Sequence, residues 1–264
     1  VNFKKIFFIF RLLSTIFIIT PILAKDIIYT LDSDISQDWT LQIDINKVLT
    51  ENLSLKGKIE DPKILIIYSH PNKKYLNSKI GTTGTIIDIG YELEYLLEKD
   101  YGVGVYHHII TNQPARYDAY ELIAQEVKKI LSYNPSIEVI IDLSIADGLK
   151  SSSYMMHGQE IVDVSLVNGL SLNEHTGELG IHSLFPNHYV QTNLAFSTQM
   201  YGLEDSIISD IYITDFRHSL HLTPKSLLVN FGNVQDDFDI VVDTVPLFVE
   251  NLAAILELEK QEIK

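Results

Sequence analysis

The sequence predicts an α/β fold: a central, mainly parallel sheet flanked by helices, with one inserted β-hairpin. Three observations carry this expectation. Residues 64–68 (I-L-I-I-Y) and 137–143 (I-E-V-I-I-D-L) are short, largely apolar runs suited to strands buried on both faces. Between them, residues 85–100 and 117–133 repeat apolar side chains at helical spacing. Strand, helix, strand, helix and strand in this order imply right-handed crossovers, and therefore a parallel sheet sandwiched by helices.

The chain has 264 residues, enough for one ordinary domain, 62–260, preceded by an extension, 25–61, and a leader, 1–24. The leader carries Lys4, Lys5 and Arg11 ahead of the mostly apolar residues 12–24, which include Pro21. That apolar run is short for a membrane span, and its basic flank and terminal Ala24 read as a signal peptide, although Ile22 is larger than a cleavage site prefers. With Arg11 snorkelling toward the headgroups, residues 6–24 read instead as an uncleaved anchor. Both readings place the body of the protein outside the cytoplasm.

Composition removes several function classes. Cysteine is absent, which rules out thiol catalysis, disulfides and cysteine-ligated metal. Twenty basic residues against 35 acidic ones give a formal net charge of −15, which repels nucleic acid and other polyanions. Lys56, Lys58, Lys63, Lys73 and Lys74 form the one basic cluster, read as a solvated rim.

In chain order, residues 39–45 (W-T-L-Q-I-D-I) read as an edge strand and 46–56 as a polar connector or short helix. After the strand at 64–68, polarity begins abruptly at Ser69. His70 therefore sits at the carboxyl edge, where open α/β sheets place their ligands, or else simply closes the strand. The loop Gly81-Thr82-Thr83-Gly84-Thr85 lacks the G-x-x-x-x-G-K-[ST] pattern, so it reads as a lead into a helix and not as a phosphate cradle. That helix buries Ile86, Ile89, Leu93, Leu96 and Leu97 and stops at Gly102. In the strand at 103–110, His107 and His108 must point to opposite faces, which suits separate structural roles better than a metal pair.

The second helix, 117–133, ends at Asn134-Pro135. The strand at 137–143 runs into Ser144, Ile145, Ala146 and Asp147-Gly148. Residues 154–167 read as a hairpin turning near His157-Gly158, and 168–187 as the longest loop. A helix at 188–201, strands at 207–214 and 226–231, and a terminal helix from about Asp243 complete the pattern.

With these segments placed, the chain is similar to the stage II sporulation protein P family over roughly residues 62–258. The family's first motif, H-[ST]-H-x-x-E-x-Y, is met by Y-S-H-P-N-K-K-Y, which keeps Ser69, His70 and Tyr75. I-I-D-I-G at 86–90 and Y-G-V-G-V at 101–105 follow the family wording, as do P-N-H-Y-V-Q-T-N-L-A-F at 186–196 and L-T-P-K-S-L-L-V-N-F-G at 222–232. The resemblance implies an amidase-like three-layer sandwich. It also implies an exported, membrane-anchored zinc N-acetylmuramoyl-L-alanine amidase that acts on peptidoglycan during forespore engulfment.

The departures fall on the reactive positions. Tyr68 replaces the leading histidine, Lys73 the glutamate of the first motif, Ser144 and Ile145 the histidine and arginine of I-D-x-H-R-D, and Asn230 the last glutamate; Ser219 and Leu220 replace a polar pair. Of the family's metal ligands only His70 remains. A catalytic zinc needs three protein ligands and a water, and the reaction needs a carboxylate to shuttle the proton. Asn230 cannot accept that proton, so it is expected to be non-catalytic, zinc to be absent or weakly bound, and Asp142 to support the sheet end.

The resemblance thus leads to a degenerate amidase with a cell-wall-binding or scaffold role. One alternative is an active zinc enzyme with a rearranged site, using His70 with one or more of His107, His108, His157, His175, His182, His188, His218 and His221; His218 and His221 could converge on a metal if helical. Another is an exported, non-catalytic interaction domain. The partners implied are peptidoglycan, the membrane through the leader and, by analogy, stage II sporulation proteins D and M, with no nucleic acid.

Overall fold

The side-chain alternation along the strands decides how this molecule is layered. The computed structural model describes residues 29–31, 44–59, 61–75, 84–110, 117–148, 150–173, 175–176 and 178–261. Among them the strands are β1 (Tyr29–Leu31), β2 (Pro62–Ile67), β3 (Gly104–His107), β4 (Val139–Ala146), β5 (Tyr154–Met156), β6 (Gln159–Ile161), β7 (Val164–Gly169), β8 (Ile208–Thr214) and β9 (Lys225–Asn233). The helices are α1 (Ile45–Thr50), α2 (Ile86–Tyr101), α3 (Tyr117–Tyr133), α4 (Val190–Tyr201) and α5 (Phe238–Leu256). Seven strands form one sheet in the order β1-β8-β7-β9-β4-β2-β3, parallel at every pairing except the antiparallel β7–β9.

One set of alternate residues is apolar across the sheet. Ile64 and Ile66 of β2, Ile141, Leu143 and Ile145 of β4, Leu166 of β7, Ile211 and Ile213 of β8, and Val229 and Phe231 of β9 share a core with α2, α4 and α5. The other set divides in two. Leu65, Ile67 and Ile140 pack beneath α3 through Ile123, Val127 and Ile130. Ser144, Ser165, Asp210, Tyr212, Thr214 and Asn230 instead line an open cleft. The second face is therefore covered by α3 over its β2–β4 half; beyond it only a small cluster, Val167 of β7 and Leu228 of β9 beneath Leu220, is buried, and the rest is open.

The helix ends follow from local chemistry. The Asp88 carboxylate accepts from Thr85 N (2.7 Å) and Thr85 Oγ1 (2.8 Å) at the start of α2, and Gly102 closes it in the left-handed conformation at φ 65°. Within α2, a Cβ on Gly90 would lie 1.6 Å from the Tyr68 hydroxyl, so the close approach of helix to strand requires glycine. His107 and His108 do point to opposite sides. His107 lies 2.5 Å from Tyr68 Oη and 2.8 Å from Glu94 of α2, whereas His108 lies 3.4 Å from Glu126 of α3.

Several expectations are corrected. The hairpin is confined to β5–β6; Val162 N then donates to Thr244 Oγ1 (3.1 Å) and Gly232 N to Asp163 O (2.8 Å), which turns the chain so that β7 enters the main sheet. Of the strand expected over 39–45, only Asp44 and Ile45 are described, and there Asp44 accepts from Lys47 N (3.3 Å) and caps α1; the edge strand seen is β1. The last helix begins at Phe238, because Asp237 accepts from Asp239 N (2.9 Å), and it accommodates Pro246 in its interior. Lys63 is not part of a solvated rim: it is buried and paired with Glu138 (3.1 Å), which Lys225 shares (3.3 Å). Residues 1–24 and 81–83 lie outside the described residues. No helix among the described residues is long and apolar enough to cross a membrane.

Candidate ligand-binding cleft

The bare half of the second face forms the floor of a cleft of about 1000 Å³. Ser144 of β4 is in register with Asn230 of β9, which is in register with Ser165 of β7. A hydroxyl, an amide and a second hydroxyl thus lie side by side across three strands. Each is polar for the same reason: its sequence neighbours Leu143 and Ile145, Val229 and Phe231, or Val164 and Leu166 are buried against the opposite layer.

One end of the cleft is built by the chain that leaves β2. Tyr75, almost fully buried, donates from its hydroxyl to Phe231 O (2.8 Å) and pins the segment carrying His70 and Lys73 to β9. Lys73 Nζ donates to Ile145 O (2.6 Å) and lies 3.1 Å from Asp147. The His70 ring meets the edge of Tyr120 at 5.9 Å, and His218, itself in the left-handed region at φ 48°, meets the same ring at 5.0 Å. His218 Nε2 is 2.9 Å from Thr214 Oγ1.

Behind these two imidazoles sits Asp142, fully buried. It accepts from Ser69 N (2.8 Å), the Ser69 hydroxyl and Ser219 Oγ (2.6 Å). Ser69 precedes His70 and Ser219 follows His218, so one carboxylate ties both histidine-bearing loops to the central strand. Burial pushes its carboxyl up to about 6, although the three donors pull the other way.

The β7–β8 side is acidic and carries Asp163, Asp210 and Asp215. Burial raises the Asp163 carboxyl, and the charges of Asp210 and Asp236 raise it further. Asp236 holds the adjoining loops by accepting from Ser152 N (2.6 Å), Ser152 Oγ (2.7 Å) and Asn233 N (2.7 Å). Gly232 approaches it at φ 61°, where a Cβ would fall 2.6 Å from Asp236 Oδ2.

The structure therefore brings His70, Lys73, Ser144 and Asn230 to one cleft. Tyr68 turns the other way: its hydroxyl meets His107 in the α2 layer, and burial raises its phenol well above the ordinary range. Of the other histidines considered, only His218 lines the cleft among the described residues. His157, His175 and His188 are exposed, and His182 Nδ1 accepts from Leu184 N and Phe185 N (both 3.1 Å). His221 does not converge with His218, because 218–221 forms a turn in which His221 Nδ1 donates to His218 O (3.1 Å); burial lowers its imidazole to about 4.

The donor set does not fit a catalytic zinc. The Lys73 ammonium, which donates to Ile145 O and lies 3.1 Å from Asp147, would stand beside a dication, and the Ser144 hydroxyl is a poor zinc ligand at neutral pH. Among the described residues, no three His, Asp or Glu side chains are grouped to hold a metal ion.

Sequence reasoning missed Tyr120, Asp163, Ser165, Asp210 and Tyr212. The signal for the strand residues was the period-two polarity of I-S-D-I-Y-I-T and V-S-L-V-N-G, which marks a sheet face without a covering helix. Tyr120 lies on a helix whose periodicity gave no hint of which sheet edge it overhangs.

Comparison with known proteins follows from this geometry. A family model described as Stage II sporulation protein P matches residues 28–253. No curated protein matches the sequence at a significant level. Among solved structures, the chain is similar to the N-acetylmuramyl-L-alanine amidase Ami1 from Mycobacterium smegmatis, with 12% identity and a TM-score of 0.43 over 78% of this chain and 99% of that one. It is also similar to the catalytic domain of the amidase CwlV from Bacillus (Paenibacillus) polymyxa var. colistinus, with 11% identity and a TM-score of 0.38 over 75% of this chain and 99% of that one. A third is the tripeptide-bound cell shape determinant Csd4 from Helicobacter pylori, with 11% identity and a TM-score of 0.39 over 80% of this chain and 56% of that one.

Proposed function

The chain belongs to the stage II sporulation protein P family, and from that premise we propose that it is an extracytoplasmic peptidoglycan-binding member that has lost hydrolysis. One observation carries this reading. His70, Lys73, Ser144 and Asn230, which the motif resemblance matches to reactive positions, meet in one cleft while Tyr68 faces away from it, and the cleft presents Lys73, Ser144 and Asn230 in place of a metal-ligating and proton-accepting set. An amide and two hydroxyls across adjacent strands can hydrogen-bond a peptide backbone. None of the three can take a proton from an attacking water at neutral pH.

The reading includes a membrane link through residues 1–24 and, by analogy with the family, stage II sporulation proteins D and M as partners. Recovery of the leader-bearing chain in the cytosolic fraction would contradict the first part. Incubation with purified peptidoglycan and added zinc tests the binding and the loss of hydrolysis. The expected outcome is cosedimentation with the polymer and no release of peptides or glycan strands; robust, chelator-sensitive release overturns the reading.

A second reading, an active enzyme with a rearranged site, is favoured by the placement of His70 and His218 edge-on to the same Tyr120 ring. The same assay decides for it if release occurs and His218→Ala abolishes it.

A further inference from the structure

Among the described residues, Lys73 is the lysine or arginine that lines the cleft, together with His70 and Ser144. We propose that its ammonium anchors the C-terminal carboxylate of the cleft's peptide ligand. The inference rests on the reading of the cleft as a peptide-binding site and names which end of the peptide it holds.

The ammonium is set in place before any ligand arrives. Tyr75 fastens the segment at Phe231 O, Lys73 N donates to His70 O (3.3 Å) to close the turn, and Nζ donates to Ile145 O. A side chain already fixed in this way loses little further freedom on binding. An ammonium has three donor hydrogens. The Ile145 carbonyl takes one in a partly buried bond, while the remaining partner identified, Asp147, has a side chain that is 80% exposed. An ion pair so open to water holds its partner weakly. A ligand carboxylate can therefore take the place of Asp147 on an ammonium that the Ile145 carbonyl continues to hold.

The rest of the cleft fixes the direction of entry. Lys73 Nζ is held at Ile145 O of β4, whereas Asp210 lies in β8, three places along the sheet and roughly 14 Å away at ordinary strand spacing. A carboxylate is repelled from the acidic side and attracted to the Lys73 side. Ser144, Asn230 and Ser165 lie on the path between and can bind the peptide groups that follow.

A merely structural lysine, one that only ties off the end of β4, predicts a different pattern. Its loss would change stability without changing which ligands are preferred. The discriminating probe is a synthetic stem tripeptide of peptidoglycan, prepared with a free C-terminal carboxylate or as the C-terminal amide, titrated into the full chain. The acid form is expected to bind roughly tenfold tighter than the amide, the scale of one charge-assisted hydrogen bond in a partly exposed site. Lys73→Met should erase that preference and leave amide binding near its original level, and Lys73→Arg should retain part of it. Asp147→Asn removes the competing carboxylate from an exposed position and should widen the preference, which gives a readout should Lys73→Met not fold. Equal binding of acid and amide by the wild type, a preference that survives Lys73→Met, or no response to Asp147→Asn overturns the Lys73 anchor and leaves the peptide-binding reading standing. Failure of the wild type to bind either form overturns both.

Discussion

The two faces of the sheet are made from the same strands by the same alternation, yet they behave as different materials. On one face Ile141, Leu143 and Ile145 of β4 and Val229 and Phe231 of β9 are packed against α2, α4 and α5 and are fully buried. On the other, α3 covers only the β2–β4 half, and past its edge the alternate positions become serine, asparagine, aspartate and tyrosine. The covered face holds the core, and the open half holds the polar groups on which the proposed recognition rests.

The contrast can be broken at several points. Phe231→Ala should cost about 3–5 kcal/mol, since its ring is fully buried and meets Phe248 edge-on at 5.5 Å. Tyr212→Ala, on the bare face and 37% exposed, should cost under about 1 kcal/mol. Comparable losses in urea denaturation would erase the distinction between the faces.

Asp142 sharpens it, because it is a charge buried where the two halves of the second face meet. Its carboxyl titrates at about 6 in the folded state, above the ordinary value of about 3.9 in the unfolded chain. Below the lower value both states are protonated and nothing is lost. As pH rises through the window the unfolded chain ionises first, so stability falls by about 3 kcal/mol from this group alone and stays lowered above the upper value. The wild type minus Asp142→Asn difference, followed by denaturation between pH 4 and 7, should show that fall; a flat difference contradicts the assignment.

Gly90→Ala should cost about 2 kcal/mol by forcing α2 off the Tyr68 hydroxyl, with the cleft and its ligand binding unaffected. A loss of peptide binding as large as the loss of stability would show that the two faces are coupled.

Much of the covered face was legible in the sequence. The apolar runs of β2, β4 and β9 and the helical periods of α2 and α3 are signals of burial, and burial is what hydrophobic spacing reports. Even there, the period did not locate the start of α5, which Asp237 decides, or the end of the hairpin, which Thr244 and Gly232 decide from far along the chain. The reversal of direction between β7 and β9 was not legible either, since a short apolar strand looks alike in both directions. Of the site, His70, Lys73, Ser144 and Asn230 were found through the family motifs. Asp163, Ser165 and Asp210 were not, because their meaning depends on which part of a sheet face lacks a helix. The hydrogen bond from Lys73 to Ile145 O was not legible either, because it joins residues 72 positions apart.

On the proposed reading, the cleft keeps the family's geometry and has lost its metal chemistry. Zinc affinity by competition titration tests this most directly, on the wild type, on Ser144→His, and on Lys73→Glu, Ser144→His and Asn230→Glu combined. One added imidazole gives at most two ligands beside an opposing ammonium, so neither the wild type nor the single variant should bind tightly. The triple variant restores a carboxylate, reverses the local charge and returns a proton acceptor, so it should bind zinc and recover weak turnover, with the arginine still absent at Ile145. Tight binding by the wild type would contradict the loss of the site, and equally weak binding by all three folded proteins would contradict the claim that the scaffold still positions it.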